Sequence, residues 1–119
     1  MRILVCGSRD WQDKDLIENT LRKYHDGNLS IVTGDARGAD WEASEFAKRQ
    51  GIDVKVYHAH WKKFGKFAGP ERNTRMLLEG KPDLVIAFHT NITQSRGTLN
   101  MVGQANEAGI PIQIYGVKK

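Results

Sequence analysis

The sequence contains only one cysteine and no long apolar run, and each of these two features argues against a class of protein. Cys6 has no second cysteine with which to form an internal disulfide, which favours a reducing compartment. A membrane-spanning helix needs roughly 20 apolar residues, and no stretch of the chain approaches that length. The first residues, Met1 to Val5, begin a strand pattern and lack the features of a secretory signal. We therefore expect a cytoplasmic protein with no membrane partner.

The size and charge of the chain narrow its class further. Its 119 residues, 39% of them hydrophobic, suit a single domain spanning 1–119. The formal charge of +4 and the pI of about 9.3 favour anionic partners. A phosphorylated small molecule and a nucleic acid both fit this excess of positive charge.

Short β-like runs alternate with longer helical patterns along the whole chain. The predicted strands are 3–6, 29–33, 54–57, 84–88 and 110–115, and the predicted helices are 13–24, 38 or 40 to 50, 70–79 and 98–108. The unbroken apolar run 84–88 is typical of a central strand covered on both faces. This alternation predicts an α/β, three-layer Rossmann-like fold, with a single five-stranded, mainly parallel sheet flanked by about four helices.

Ligands of such sheets bind beyond the carboxyl ends of the strands, so the strand-to-helix loops are the candidate site. The first loop holds Gly7, Ser8, Arg9 and Asp10. Its glycine permits close approach of a ligand, and its arginine suits a phosphate. A tight turn with a helix cap explains the same four residues equally well.

The second and third loops repeat this composition before a helix. The second holds Gly34, Asp35, Ala36, Arg37, Gly38 and Asp40, and the third holds Ser95, Arg96, Gly97 and Thr98. Helix N-termini receive anions through their free N–H groups. Asp40 is either a helix N-cap or an acceptor for a ribose hydroxyl. Neither a Walker A loop nor a Gly-x-Gly-x-x-Gly fingerprint is present.

Two further features lie outside these loops. Between 59 and 68 we predict a loop in which Trp61 and Phe64 interleave with lysines. The two aromatic side chains either stack on a nucleobase while the lysines contact phosphates, or fill the core under the loop. His89 follows the central strand, where a ligand contact is expected. The four histidines have no metal-ligand spacing, so we expect no metal and no cofactor other than a nucleotide-type ligand.

Four motifs follow one another along the chain: Gly7-Ser8-Arg9-Asp10, Gly34-x-Ala36-Arg37-Gly38-Ala39-Asp40, Ala68-Gly69-Pro70-x-Arg72-Asn73 and Gly97-Thr98-x-x-Met101. In this order they resemble the motifs of the YspA-like branch of the SLOG superfamily. The resemblance implies a Rossmann-like domain that binds nucleotide-derived ligands, often related to ADP-ribose or NAD. It adds Arg72 and Asn73 to the expected contacts, and it suggests a homo-oligomer by analogy.

Enzymatic relatives of this superfamily, the LOG-type phosphoribohydrolases, carry a catalytic glutamate at the position of Met101. A thioether cannot act as a general acid or base, so the catalytic residue is unknown and binding or sensing is favoured over hydrolysis. Met101 either packs beside the pocket or fills the core. An N-glycoside hydrolase using Asp10, Asp35 or Asp40 remains one alternative. Single-stranded nucleic-acid binding, which the similarity of the second motif to the DprA fold suggests, is another.

Overall fold

The computed structural model describes residues 1–91 and 95–116. Its strands are β1 (Arg2–Gly7), β2 (Ser30–Gly34), β3 (Asp53–Tyr57), β4 (Leu84–Phe88) and β5 (Ile112–Tyr115). Its helices are α1 (Lys14–Arg22), α2 (Ala39–Arg49), α3 (Trp61–Phe64), α4 (Ala68–Gly80) and α5 (Arg96–Glu107). The predicted alternation of strands and helices is confirmed, with β4 at the predicted residues.

All five strands are parallel and follow the order β3-β2-β1-β4-β5. Leu4 of β1 lies opposite Val32 of β2 and Val85 of β4, which fixes the register at the centre of the sheet. The chain moves outward from β1 to β3 and then returns to place β4 on the other side of β1. The order therefore reverses between β1 and β4, where a crevice opens at the carboxyl edge of such sheets.

Each face of the sheet is covered by two long helices. Ile3 and Val5 of β1 face a core that includes Phe46 of α2, whereas Leu4 faces a core that includes Met76 of α4 and Met101 of α5. This alternation follows from the two-residue period of a strand. Every residue of β4 is buried, as expected of a strand covered on both faces. The three-layer Rossmann-like fold is confirmed.

The predicted loop at 59–68 is wrong in part, because it contains helical structure. Its residues form α3 and a 3-10 turn, Gly65–Phe67, that leads directly into α4. Helix α4 begins at Ala68, so Pro70 is its third residue, where a missing N–H still costs no helical hydrogen bond. Neither short element has a buried residue, so the sequence shows no apolar periodicity from which these two elements could be predicted. Within the described ranges, no helix is long and apolar enough to cross a membrane.

Close packing of the first two strand-to-helix loops explains two of the glycines. Gly38 has a φ of +78°, and a side chain there would overlap the carbonyl oxygen of Ser8. The N–H of Ala39 donates to that same oxygen at 3.1 Å. A Cβ on Gly34 would lie 2.6 Å from Nη1 of Arg72. Gly38 is therefore required by the packing of the backbone, whereas at Gly34 the missing side chain leaves space for the Arg72 guanidinium.

We expect Gly38→Ala to destabilise the protein far more than Gly51→Ala. Both glycines have a positive φ, which costs a non-glycine residue about 1–2 kcal/mol. Gly51 has open space around it, whereas overpacking at Gly38 adds about 1–3 kcal/mol. Urea unfolding of the two variants measures the difference. Equal losses of stability would contradict the packing of the two loops described here.

Candidate functional site

A cavity of about 540 Å³ opens at the carboxyl edge of the sheet, beside the switch point between β1 and β4. Residues from all three predicted loops and from α3 and α4 line it. The sequence-predicted residues among them are Gly7, Ser8, Arg9, Asp10, Ala36, Asp40, Trp61, Arg72, Asn73, His89, Ser95, Arg96, Gly97 and Thr98. The fold thus brings most of the predicted residues into one site.

Two arginine side chains of the cavity have no partner among the described residues. The guanidinium groups of Arg9 and Arg96 make no hydrogen bond or ion pair with any residue in 1–91 or 95–116. Both are exposed, so their guanidinium groups are available to an anion. Planar guanidinium groups bind phosphate oxygens in pairs, which makes this part of the cavity suitable for a phosphate.

The N-terminus of α5 forms the adjoining wall. Ser95 is its N-cap, and the Ser95 hydroxyl accepts from the N–H of Thr98 at 3.4 Å. The N–H groups of Arg96 and Gly97 precede the first helical hydrogen bond and have no acceptor inside the helix. Apart from its own helix and chain neighbours, no atom of the described residues lies within 4 Å of a Cβ built on Gly97, so open space adjoins this residue in the cavity lining.

A buried network under the cavity joins the second loop to α4. Nη1 of Arg72 donates to Oδ1 of Asp35 at 2.7 Å, and the Arg72 side chain is only 9% exposed. Asp35 also accepts from the N–H of Ala59 at 3.2 Å and contacts Nδ1 of His58 at 3.3 Å. A charge-assisted pair of this kind is strong where water is largely excluded. Arg72 therefore fixes the walls of the site.

Asn73 extends this network to α5. Nε of Arg72 donates to Oδ1 of Asn73 at 3.1 Å. The amide nitrogen of Asn73 donates to the carbonyl of Gly97 at 3.2 Å and to Oδ1 of Asn100 at 3.1 Å. The N-terminus of α5 is thereby held at a fixed distance from α4. Arg72 and Asn73 line the cavity, but their polar groups are largely committed to the protein.

Asp40 is a buried carboxyl on the cavity wall. Burial raises its pKa to about 7, against the opposing effect of the Arg72 charge. Its Oδ2 accepts from the N–H of Ala36 at 3.3 Å. Cys6 also lines the cavity, and burial, with a further contribution from Asp40, raises the pKa of its thiol above its ordinary value. The Cys6 thiol is therefore protonated at neutral pH.

His89 is a lining residue whose ring tautomer is fixed by a backbone contact. Its Nδ1 accepts from the N–H of Asn91 at 2.8 Å, and burial lowers the pKa of the ring. The ring is neutral at pH 7, so the accepting role of Nδ1 assigns its hydrogen to Nε2.

Four predicted residues lie outside the cavity lining: Gly34, Asp35, Arg37 and Gly38. Gly34, Asp35 and Gly38 serve the packing and ion pairing described above. The Arg37 side chain is 78% exposed and pairs with Asp10 at 3.5 Å, outside the lining to which Arg9 belongs. Asp40 is not the helix N-cap, because Gly38 occupies that position and Asp40 is already inside α2.

Met101 belongs to the core and does not line the cavity. It is fully buried in the cluster between the sheet and the α4–α5 layer, with Leu4 and Met76 among its members. Of the two readings of Met101, core filling is the one that the structure supports.

Sequence reasoning missed five lining residues: Cys6, Lys66, Gly69, Pro70 and Met76. Lys66, Gly69 and Pro70 lie within the segments singled out above, which is the signal that could have found them. Cys6 and Met76 read as apolar core positions of a strand and a helix. Only the packing of α4 beside β1 shows that they border the cavity.

The parallel strand order and the helices on both faces of the sheet define a Rossmann-like α/β protein with a cavity at the switch point. A model of the YAcAr family, described as the YspA, cpYpsA-related SLOG family, matches residues 1–64. The chain belongs to this SLOG family. No curated protein matches it.

A solved structure shares the fold. The DNA processing protein A (DprA) of Streptococcus pneumoniae superimposes with a TM-score of 0.76 at 20% sequence identity. The match covers 95% of this chain and 49% of the DprA chain, so this chain spans about half the length of that protein.

The buried Asp40 carboxyl predicts a pH dependence of stability. Between its ordinary pKa of 3.8 and about 7, the folded state retains a proton that the unfolded state has lost. The free energy of unfolding should therefore fall as the pH rises from about 4 to 7, by up to about 1.4 kcal/mol per pH unit from this group.

Asp40→Asn, which resembles the protonated acid, should remove this component. Urea unfolding at several pH values measures it, with Asp15→Asn, an exposed carboxylate of α1, as the control. An unchanged pH slope in Asp40→Asn would show that Asp40 is ionised in the folded protein.

Proposed function

We propose that the protein binds or senses a small phosphate-bearing nucleotide in the cavity at the switch point. The observation that carries the proposal is the convergence of Arg9, Arg96 and the open N-terminus of α5 on one cavity. Positive groups without protein partners repel one another when they lie close together, and a bound anion would relieve this repulsion. The SLOG family and the DprA-like fold support nucleotide-related binding at this general level.

The cavity supplies different surfaces to the two ends of a nucleotide. We place the phosphate between Arg9, Arg96 and the N–H groups of α5. The lining also holds Trp61, whose indole is 3.8 Å from a Cβ built on Gly69, together with Pro70 and Met76. A nucleobase stacks well on an aromatic ring of this kind. The apolar and the cationic residues of the lining together match one nucleotide.

Support for hydrolysis is weaker than support for binding. Cleavage of an N-glycosidic bond needs a carboxyl at the reacting atoms, and Asp10 and Asp40 are the carboxyl side chains of the lining. Asp40 is held by Ala36 and Arg72, and Asp10 pairs with Arg37. Asp35, the third candidate for this role, does not line the cavity.

Gly97→Ala tests the phosphate site without harming the fold. A methyl group at Gly97 enters the open space at the first amides of α5 and should weaken nucleotide binding by about tenfold or more. The same change should stabilise the helix by about 0.5–1 kcal/mol. Thermal-shift titrations with AMP, cyclic AMP, NAD and ADP-ribose measure binding, since a ligand at 100 times its Kd stabilises by about 2.7 kcal/mol.

Gly103→Ala is the matched control. Gly103 lies in the same helix, is exposed, has equally open surroundings and is not part of the cavity lining. It should gain similar stability and bind nucleotides as the unmodified protein does. Absence of a thermal shift with every nucleotide would overturn the proposed function.

Single-stranded nucleic acid is the second candidate, favoured by a cationic aromatic surface beside the cavity. This surface consists of Trp61, Lys62, Lys63, Lys66 and Phe67. Trp61 and Phe67 are 48% and 65% exposed, and the ammonium groups of Lys63 and Lys66 lie 5.2 and 5.5 Å from neighbouring phenyl rings. Exposed aromatics interleaved with lysines suit stacked bases and their phosphates. The structurally similar DprA is a DNA processing protein.

If this candidate is correct, the affinity for a single-stranded oligonucleotide should fall as the salt concentration rises. A plot of the logarithm of the binding constant against the logarithm of the salt concentration should have a slope of about −0.7 for each neutralised phosphate. Replacing Lys62, Lys63 and Lys66 by Gln should reduce that slope. Replacing Lys14, Lys23 and Lys48, which are exposed on α1 and α2 or follow α1, removes the same charge from elsewhere. Fluorescence anisotropy measures both variants, and equal losses would show that only net charge matters.

A further inference from the structure

A buried carboxyl group on the cavity wall lacks the partners that stabilise a buried charge. Asp40 is 5% exposed and lines the cavity. Its Oδ2 accepts from the N–H of Ala36 at 3.3 Å, and within 1–91 and 95–116 it forms no ion pair with a cationic side chain. Burial disfavours an ionised carboxyl unless a cation or several hydrogen bonds compensate it. The fold therefore places a group of variable charge at the site.

The guanidinium of Arg72 lies beside Asp40 but is directed to other partners. A Cβ built on Gly34 would lie 2.6 Å from Nη1 of Arg72 and 2.7 Å from Oδ2 of Asp40, so the two side chains border the same small space. Nη1 nevertheless donates to Oδ1 of Asp35 at 2.7 Å, and Nε donates to Oδ1 of Asn73 at 3.1 Å. Burial raises the pKa of Asp40 to about 7, and the Arg72 charge opposes this effect without cancelling it.

The other groups that face Asp40 come from β1, β2 and the loop after β2. The Thr33 hydroxyl donates its hydrogen to a carbonyl of β1 at 2.8 Å. The Cys6 thiol is protonated at neutral pH, because burial and the Asp40 charge raise its pKa. Asp35 is paired with Arg72, so these three neighbours supply no cation to Asp40. The remaining ionisable residues of the described cavity lining are Arg9, Asp10, Lys66, His89 and Arg96.

A nucleotide bound in the cavity would favour the protonated form of Asp40 for two reasons. Its phosphate brings negative charge into the same cavity, and screening is weak at a carboxyl that is nearly inaccessible to water. The ligand also displaces water from the cavity wall, which disfavours the ionised carboxyl further. Both effects raise the pKa of Asp40 in the complex above its value in the free protein. By linkage, the ligand then binds the protonated protein more tightly.

We propose that Asp40 determines the specificity of the site by coupling the binding of an anionic nucleotide to the uptake of a proton. The inference rests on the proposed function and adds a selectivity for charge to it. With Asp40 protonated, the carboxylate left in the described lining is Asp10, which is paired with Arg37 at 3.5 Å. The cations of the cavity then attract an anion with little opposition. With Asp40 ionised this attraction is weaker, so the preference for charged over uncharged ligands decreases as the pH rises.

Calorimetric titration with cyclic AMP and NAD tests this coupling, because the phosphates of these ligands do not titrate near neutral pH. Between about pH 6.5 and 8.5 the affinity should fall by about tenfold or more, since the protonated form is lost as the pH rises through the pKa of Asp40 in the free protein. Titrations in buffers of different ionisation enthalpy should count an uptake of about half a proton or more per ligand at about pH 7.5. Adenosine, which carries no charge, should show a smaller fall in affinity. A flat pH profile, an equal fall with adenosine, or the release of a proton, which is expected if a ribose hydroxyl donates to an ionised Asp40, would overturn the inference.

Asp40→Asn should lose both the proton uptake and the fall in affinity, because its amide does not titrate. Asp15→Asn, at an exposed position of α1, is the matched control and should retain both. The same proton uptake in Asp40→Asn would assign the proton to another group and so contradict the inference. If Asp40→Asn does not fold, the proton count on the unmodified protein decides. Binding of no nucleotide by the unmodified protein would overturn the proposed function as well.

Discussion

The ion pair between Arg72 and Asp35 is the interaction on which the geometry of the site depends. It joins the loop after β2 to α4 at a distance of 2.7 Å, and the guanidinium occupies space that a side chain on Gly34 would otherwise fill. Through Asn73 the same arginine is tied to the carbonyl of Gly97 at the start of α5. Removing one partner of a largely buried pair leaves a charge without compensation, which is costly. The pair therefore ties the loop after β2, α4 and the start of α5 together.

This rigidity divides the cations of the cavity into two kinds. The Arg72 guanidinium is paired with Asp35 inside the protein, whereas the guanidinium groups of Arg9 and Arg96 are exposed and have no partner among the described residues. The first N–H groups of α5 are held in place through Asn73, whereas the two exposed arginine side chains must still be ordered when an anion binds. Asp40 adds little opposing charge below neutral pH, because burial keeps its carboxyl protonated.

The glycines of the motif loops separate into two classes on the same grounds. Side chains on Gly7, Gly34 and Gly38 would overlap protein atoms, whereas the surroundings of Gly97 are open. A glycine-rich loop at a helix start is thus not by itself a phosphate cradle. In this protein the first three glycines let two loops and an arginine pack closely, and the fourth borders open space in the cavity lining. The motif residues lie mostly at one cavity, but the motifs themselves do not distinguish these roles.

By itself, the sequence determined the layer architecture and the edge of the sheet that carries the site. Strand and helix periodicities are local properties, and the all-apolar run of β4 reports its burial directly, so these features could be predicted. Tertiary structure alone decided which motif residues face the cavity. Arg37 and Arg72 have the same chemistry, yet one is exposed beside Asp10 and the other is buried beneath Gly34. Tertiary packing likewise places Met101 in the core. It also places Cys6 and Met76 at the border of the cavity. These outcomes depend on how α4 and α5 pack against β1 and β4, which are contacts between residues far apart in the chain, and no local pattern records them.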